Sequence, residues 1–199
     1  DMRFELMQPT SSESVVGRFI DRRGEGIHHI CFEVSDIEAE IEALKNREVQ
    51  LVQGSPREGF VGLVEFIHPR AANGVLVEIA QVNLRTPNDH SIKFGHLEML
   101  VTDPRQASDS WIRNFEMTEN MTDISNRGST SQPPVWLNIA GLQVHPQLKF
   151  SRLDTQLESD QGAGSRSEGL SALVLRTSAL MGIPFFNKNT EGTDMPLDK

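Results

Sequence analysis

The feature that most restricts the fold of this chain is that it repeats itself, since a duplicated unit must fold twice into the same thing. His29 matches His96, Val34 matches Val101 and Asp36 matches Asp103, always 67 positions apart. Gly74-Val75-Leu76-Val77-Glu78 meets Gly141-Leu142-Gln143-Val144-His145 at the same spacing of 67. Each copy opens on an apolar alternation (Ile30, Phe32 and Val34 in the first), the period of a strand with one buried face. Asp36 and Asp103 follow as natural helix N-caps. An amphipathic helix comes next, with Ile37, Ile41 and Leu44 as its apolar stripe in the first copy and Trp111, Ile112 and Phe115 as its apolar end in the second. Three more strands are expected near 49–53, 61–68 and 74–81, and again near 117–122, 134–139 and 142–150. Turns at Ser55-Pro56 and 71–74 and a polar loop at 126–133 separate them. The unit is therefore βαβββ, and the expected fold class is α+β with a curved, partly open mixed sheet.

Pieces of further copies flank the two units. Phe4-Glu5-Leu6-Met7-Gln8 repeats the pattern of Val77-Glu78-Ile79-Ala80-Gln81, so the chain is expected to open on the last strand of an earlier unit. Residues 169–180 resemble a later opening strand, with Ala172 in the place of His29 and His96. The expected domains are 1–84, holding the complete unit 26–82, and 93–199, holding the complete unit 93–150 and the partial one 169–180. Stretches 154–168 and 190–199 read as linkers. The chain starts at Asp1, in mid-strand by this register, which is the expectation for a fragment of a longer protein.

Composition removes several partners. A formal charge of -9 over 199 residues disfavours nucleic acid and anionic membranes, both of which select basic faces. No apolar run approaches the ~20 residues of a membrane-spanning helix. The one cysteine, Cys31, excludes an internal disulfide framework and fits a reducing, cytoplasmic setting; within its apolar run it is expected to be buried and inert.

Because side chains alternate along a strand, His29 and Glu78 can face one concavity, as can His96 and His145. A lone strand histidine is usually satisfied by a backbone partner. A carboxylate among Val75, Leu76, Val77 and Ile79 is different, because burying it unpaired would cost several kcal/mol. Imidazole with carboxylate suits Zn, Co, Mn, Ni or Fe(II), with coordination positions left open for a chelating substrate. His28 is expected on the opposite face, either supporting a ligand from behind or structural, and Trp111 and Trp136 as core or rim.

Gly24-Glu25-Gly26-Ile27-His28-His29-Ile30-Cys31-Phe32-Glu33-Val34, then Phe66-Ile67-His68-Pro69, then Gly74-Val75-Leu76-Val77-Glu78 resemble methylmalonyl-CoA epimerase in residue type, order and spacing. That enzyme belongs to the vicinal-oxygen-chelate (glyoxalase/bleomycin-resistance/dioxygenase) superfamily. The resemblance runs from about residue 3 to 82, taking in Phe4–Pro9 and a helix-like stretch at 14–23; residues 93–180 resemble only the superfamily pattern. It implies a divalent ion held by Glu5, His29 and Glu78, with a fourth ligand from a half-domain preceding Asp1. It also implies proton exchange at C2 of a 2-substituted malonyl-CoA-type thioester, Glu78 as a catalytic base, an acyl-CoA partner and a homodimer. His96 and His145 would be remnants of a degenerate unit, or ligands of a second or shared site. Direct pairing of units 26–82 and 93–150 would gather His29, Glu78, His96 and His145. His68-Pro69 reads as turn-shaping. A glyoxalase, an Fe(II) extradiol dioxygenase and a non-catalytic small-molecule-binding module are the rival functions that such a fold can host.

Overall fold

The computed structural model describes residues 4–60, 62–83, 92–120, 134–138, 148–153 and 169–177. Local chemistry starts each element of the first module. The Ser14 hydroxyl accepts from Gly17 N at 3.0 Å and opens helix α1 (Val15–Arg23), which Gly24 closes at φ 73° by donating to Ile20 O. Strand β1 (Ile30–Glu33) follows, and Asp36 accepts from Ala39 N at 3.0 Å to begin α2 (Ile37–Asn46). Ile37, Ile41 and Leu44 are buried as the periodicity requires, each contributing roughly 1.5–3 kcal/mol.

Strands β2 (Arg57–Glu58), β3 (Gly62–Ile67) and β4 (Val77–Val82) complete a mixed sheet ordered β1-β4-β3-β2, in which only β1 and β4 run parallel. The crossover through α2 brings the first and last strands of the module together as neighbours. A Cβ at Gly62 would lie 2.1 Å from the Gln81 carbonyl oxygen, so β3 can begin there only with glycine. His68 shapes the next turn: its Nδ1 accepts from Arg70 N at 3.1 Å and caps a short 3-10 helix, Pro69–Ala71. The strand expected at 49–53 does not form; Leu51 makes a single bridge to Ile67. The pairing stops at Gln53, where the Glu65 carboxylate takes the backbone donors of Gln53 and Ser55 at 3.1 and 3.0 Å and so offers them an alternative to a ladder.

The second module repeats the plan. Asp103 accepts from Arg105 N and Gln106 N at 2.9 and 3.1 Å and opens α3 (Pro104–Phe115). Strands β5 (Ile92–Val101), β6 (Thr118–Glu119), β7 (Val135–Asn138), β8 (Leu148–Arg152) and β9 (Gly169–Thr177) order as β6-β7-β8-β5-β9. The parallel pair β5/β8 matches β1/β4, and β9 adds antiparallel to β5. Of the last strand expected at 142–150, residues 142–147 lie outside the described residues, and the described part runs from Leu148 to Arg152.

One continuous apolar core joins the modules, running from Ile37, Leu44 and Val77 to Met99, Trp111 and Phe150. Trp111 is fully buried at the junction, and its indole N–H donates to Asn73 Oδ1 at 3.0 Å. Asn114 donates to Ala71 O at 2.9 Å, and Arg47 bridges Glu40 at 3.2 Å and Glu116 at 2.5 Å. Helix α3 thus docks on the 71–73 turn of the first module. Among the described residues no helix is long and apolar enough to cross a membrane.

Candidate metal centre

The register of the first sheet sets Cys31 opposite Glu78 and Glu78 opposite Phe66, a row across three strands. His29 lies one residue before β1, and its ring reaches this row. His29 Nε2 is 2.9 Å from Glu78 Oε2, with the two side chains 12% and 10% exposed. Glu5 Oε2 stands 3.9 Å from the same nitrogen and is more open to solvent. The Phe66 ring meets His29 edge-on at 5.9 Å and carries the Arg57 guanidinium 5.1 Å above its centroid. The structure therefore brings together His29, Glu78 and, more loosely, Glu5.

His28 touches His29 directly, which fits the supporting role expected of it rather than a place away from the site. Its Nδ1 lies 3.1 Å from His29 Nδ1, and its ring packs edge-on against Phe19 at 4.9 Å. It precedes Ile30, where β1 begins, so strict strand alternation does not yet apply to it. Burial first, and the neighbouring His29 second, lower its pKa and keep it neutral. With His29 Nε2 turned to an ion as a lone-pair donor, His29 Nδ1–H would donate to His28 Nδ1, the kind of outer contact that orients a ligand imidazole.

Cys31 corrects an expectation: the residue is exposed on β1 rather than buried. Its crowded root on the sheet, then Glu78 and Glu5, push its pKa up to about 12, so it remains a neutral, inert thiol.

One imidazole nitrogen and two carboxylates make a donor set that suits a borderline divalent ion with open positions. Among the described residues no three His, Cys, Asp or Glu converge into a complete ligand cluster. The fit is that of two donors in contact with a third within side-chain reach at 3.9 Å. Beside His29, a pocket of about 30 Å³ bordered by Arg23, His28 and Leu170 has room for little more than a water.

The second sheet repeats this row with a change of charge. Glu98 stands opposite Lys149, and Lys149 opposite Trp136. His96 packs edge-on against Trp136 at 4.9 Å, as His29 does on Phe66. Lys149, four positions beyond His145, thus takes the place that the constant offset assigned to His145, and His145 itself lies outside the described residues. Lys149 Nζ is 2.7 Å from Glu98 Oε1, which also accepts from Ser151 Oγ at 2.8 Å. Burial alone would raise the pKa of Glu98; the hydrogen bonds from Lys149 and Ser151 outweigh it and hold the carboxyl below its usual range. The contribution of Lys149, Phe66 and Trp136 escapes a fixed-offset repeat search, because Phe66 and Trp136 are separated by 70 positions and Glu78 and Lys149 by 71.

Residues 1–68 match the family model of the Glyoxalase/Bleomycin resistance protein/Dioxygenase superfamily. The uncharacterized protein YqjC of Bacillus subtilis is 37% identical over 90 residues, covering 45% of this chain and 64% of that protein. The ethylmalonyl-CoA/methylmalonyl-CoA epimerase of Cereibacter sphaeroides is 40% identical over 83 residues, covering 40% of this chain and 62% of that protein. The crystal structure of methylmalonyl-CoA epimerase from Mycobacterium tuberculosis is 36% identical over 38% of this chain and 51% of its own, with a TM-score of 0.37. The chain spans less than two thirds of the length of these relatives.

Proposed function

From the superfamily match over residues 1–68 and the epimerase-like segment that contains it, we propose that His29, Glu78 and Glu5 hold a divalent metal ion and that the chain serves proton exchange at C2 of a 2-substituted malonyl-CoA-type thioester. The observation that carries this reading is the direct approach of His29 Nε2 to Glu78 Oε2 at 2.9 Å, with both side chains nearly buried. A bound ion would supply a Lewis acid for the two carbonyl oxygens that flank the acidic carbon. Glu78 is the carboxylate that would accept the C2 proton. Its near-complete burial on β4 gives it a fixed direction, and contact with His29 holds the carboxylate plane. The Phe66 ring packs edge-on against His29. The acyl-CoA partner is inferred from the activity named for the epimerase relatives, and a homodimer is part of the same reading.

The test is deuterium incorporation at C2 of methylmalonyl-CoA in heavy water, with the chelated protein and after adding Co(II), Zn(II), Mn(II) or Ni(II). Metal-dependent exchange is expected, with a loss of about 10²–10⁴-fold in Glu78→Gln. Exchange that is equally fast in His29→Ala would remove this centre from the chemistry. The gathering of fewer than three donors in contact favours one second reading, a module that binds a small molecule without turning it over. Thioester binding with no exchange under any metal would select it.

A further inference from the structure

The two modules correspond side chain for side chain across the row that carries the site. In the first, His29 lies two residues before Cys31, Cys31 faces Glu78 and Glu78 faces Phe66. In the second, His96 lies two residues before Glu98, Glu98 faces Lys149 and Lys149 faces Trp136. The histidine-to-aromatic packing recurs, at 5.9 Å and 80° in one and 4.9 Å and 71° in the other. Charge is what changes. Where the first module carries a carboxylate on its closing strand, the second carries an ammonium there, held 2.7 Å from Glu98 on the opening strand and 5.7 Å from the Trp136 ring centroid.

We propose that Lys149 is a built-in monocation occupying the place where the first module takes a divalent ion, so that the second module rejects metals and the chain binds one ion at His29 and Glu78. The inference rests on the metal reading above for the first module. An ammonium already in contact with the only carboxylate of the row neutralises it, and the ring of Trp136 adds cation–π attraction that keeps Nζ over the face. Glu98 accepts from both Lys149 and Ser151, so its Oε1 is committed to two donors. A divalent ion entering there would have to displace both and would meet a positive charge at contact distance. In the first module the corresponding cation, Arg57, belongs to the edge strand β2 and covers Phe66 instead, leaving Glu78 to His29.

The experiment is equilibrium dialysis of the chelator-stripped chain against Co(II), with bound metal measured by emission spectrometry and the ligand field by visible absorption. Four proteins are compared: wild type, Glu78→Gln, and Glu78→Gln combined with Lys149→Glu or with Lys149→His. About one equivalent is expected in wild type, none in Glu78→Gln, and about one regained when Lys149 is replaced by either ligand-bearing residue. Lys149→His, assayed above neutral pH, covers the case in which Lys149→Glu fails to fold, and circular dichroism confirms folding of each protein. An ion that persists in Glu78→Gln but is lost on adding His96→Ala overturns the inference, as does absence of binding in both folded Lys149 combinations. If wild type binds nothing while the combinations bind one ion, the metal reading of the first module fails and the role of Lys149 stands.

Discussion

Glu65 lies in the middle of β3, only 1% exposed, and its carboxylate collects backbone N–H groups from Gln53 at 3.1 Å, Ser55 at 3.0 Å and Phe66 at 2.8 Å. Oε1 accepts two of them and Oε2 the third. In Glu65→Gln the amide oxygen can inherit the Oε1 role, but the NH2 group then faces the Ser55 N–H, donor against donor. The lost charge-assisted bond contributes about 1.5–3 kcal/mol, and Ser55 is open enough for water to recover part of it, which leaves a cost of about 2 kcal/mol. For a chain of this size that corresponds to a fall in Tm of roughly 4–8 °C. Glu65→Ala strips all three acceptor contacts and leaves a void, so its cost should be about twice as large. Thermal and urea unfolding give the order wild type, Glu65→Gln, Glu65→Ala, and amide exchange at Gln53 and Ser55 should accelerate in both variants. A Glu65→Gln protein within about 0.5 kcal/mol of wild type, with those two amides still protected, would refute the account of why 50–56 is pinned to β3.

Trp111→Phe keeps the ring but deletes the donor to Asn73, at a cost of about 1–2 kcal/mol, whereas Trp111→Ala should cost about 3–5 kcal/mol and expose the seam between α3 and the 71–73 turn to protease; equal cleavage rates would count against a shared core. With a thiol pKa near 12, Cys31 of the chelated protein should alkylate slowly at mildly alkaline pH, and Glu78→Gln should speed the reaction by removing a neighbouring carboxylate; an unchanged rate would refute that cause. The Glu98 pKa is lowered in the folded state, so its ion pair with Lys149 stabilises above the ordinary carboxylate range and that stability is lost as pH falls through the lowered value. The stability gap between wild type and Lys149→Met, read by urea unfolding, should therefore be widest near neutrality and shrink in acid; a gap independent of pH would dissociate it from Glu98.

What the sequence by itself determined was local or strictly periodic. Asp36 and Asp103 cap helices because a short side-chain oxygen reaches the first-turn amides from any such position, whatever lies around it. The stripe Ile37, Ile41 and Leu44 had one face to bury, and the two-residue period of β4 was enough to turn Glu78 away from the core-facing Val77 and Ile79. Tertiary structure decided whatever depended on what lay opposite. Lys149 rather than His145 came to stand across from Glu98 because ladder register is set by pairing with neighbouring strands, and an offset measured on one strand does not carry through connections of unequal length. The 49–53 segment keeps one bridge at Leu51, with Val52 N donating to Phe66 O, and the pairing stops at Gln53, whose amide goes to a buried carboxylate twelve residues away. Cys31 met solvent because exposure belongs to the space beyond a strand and is invisible in the strand's own alternation.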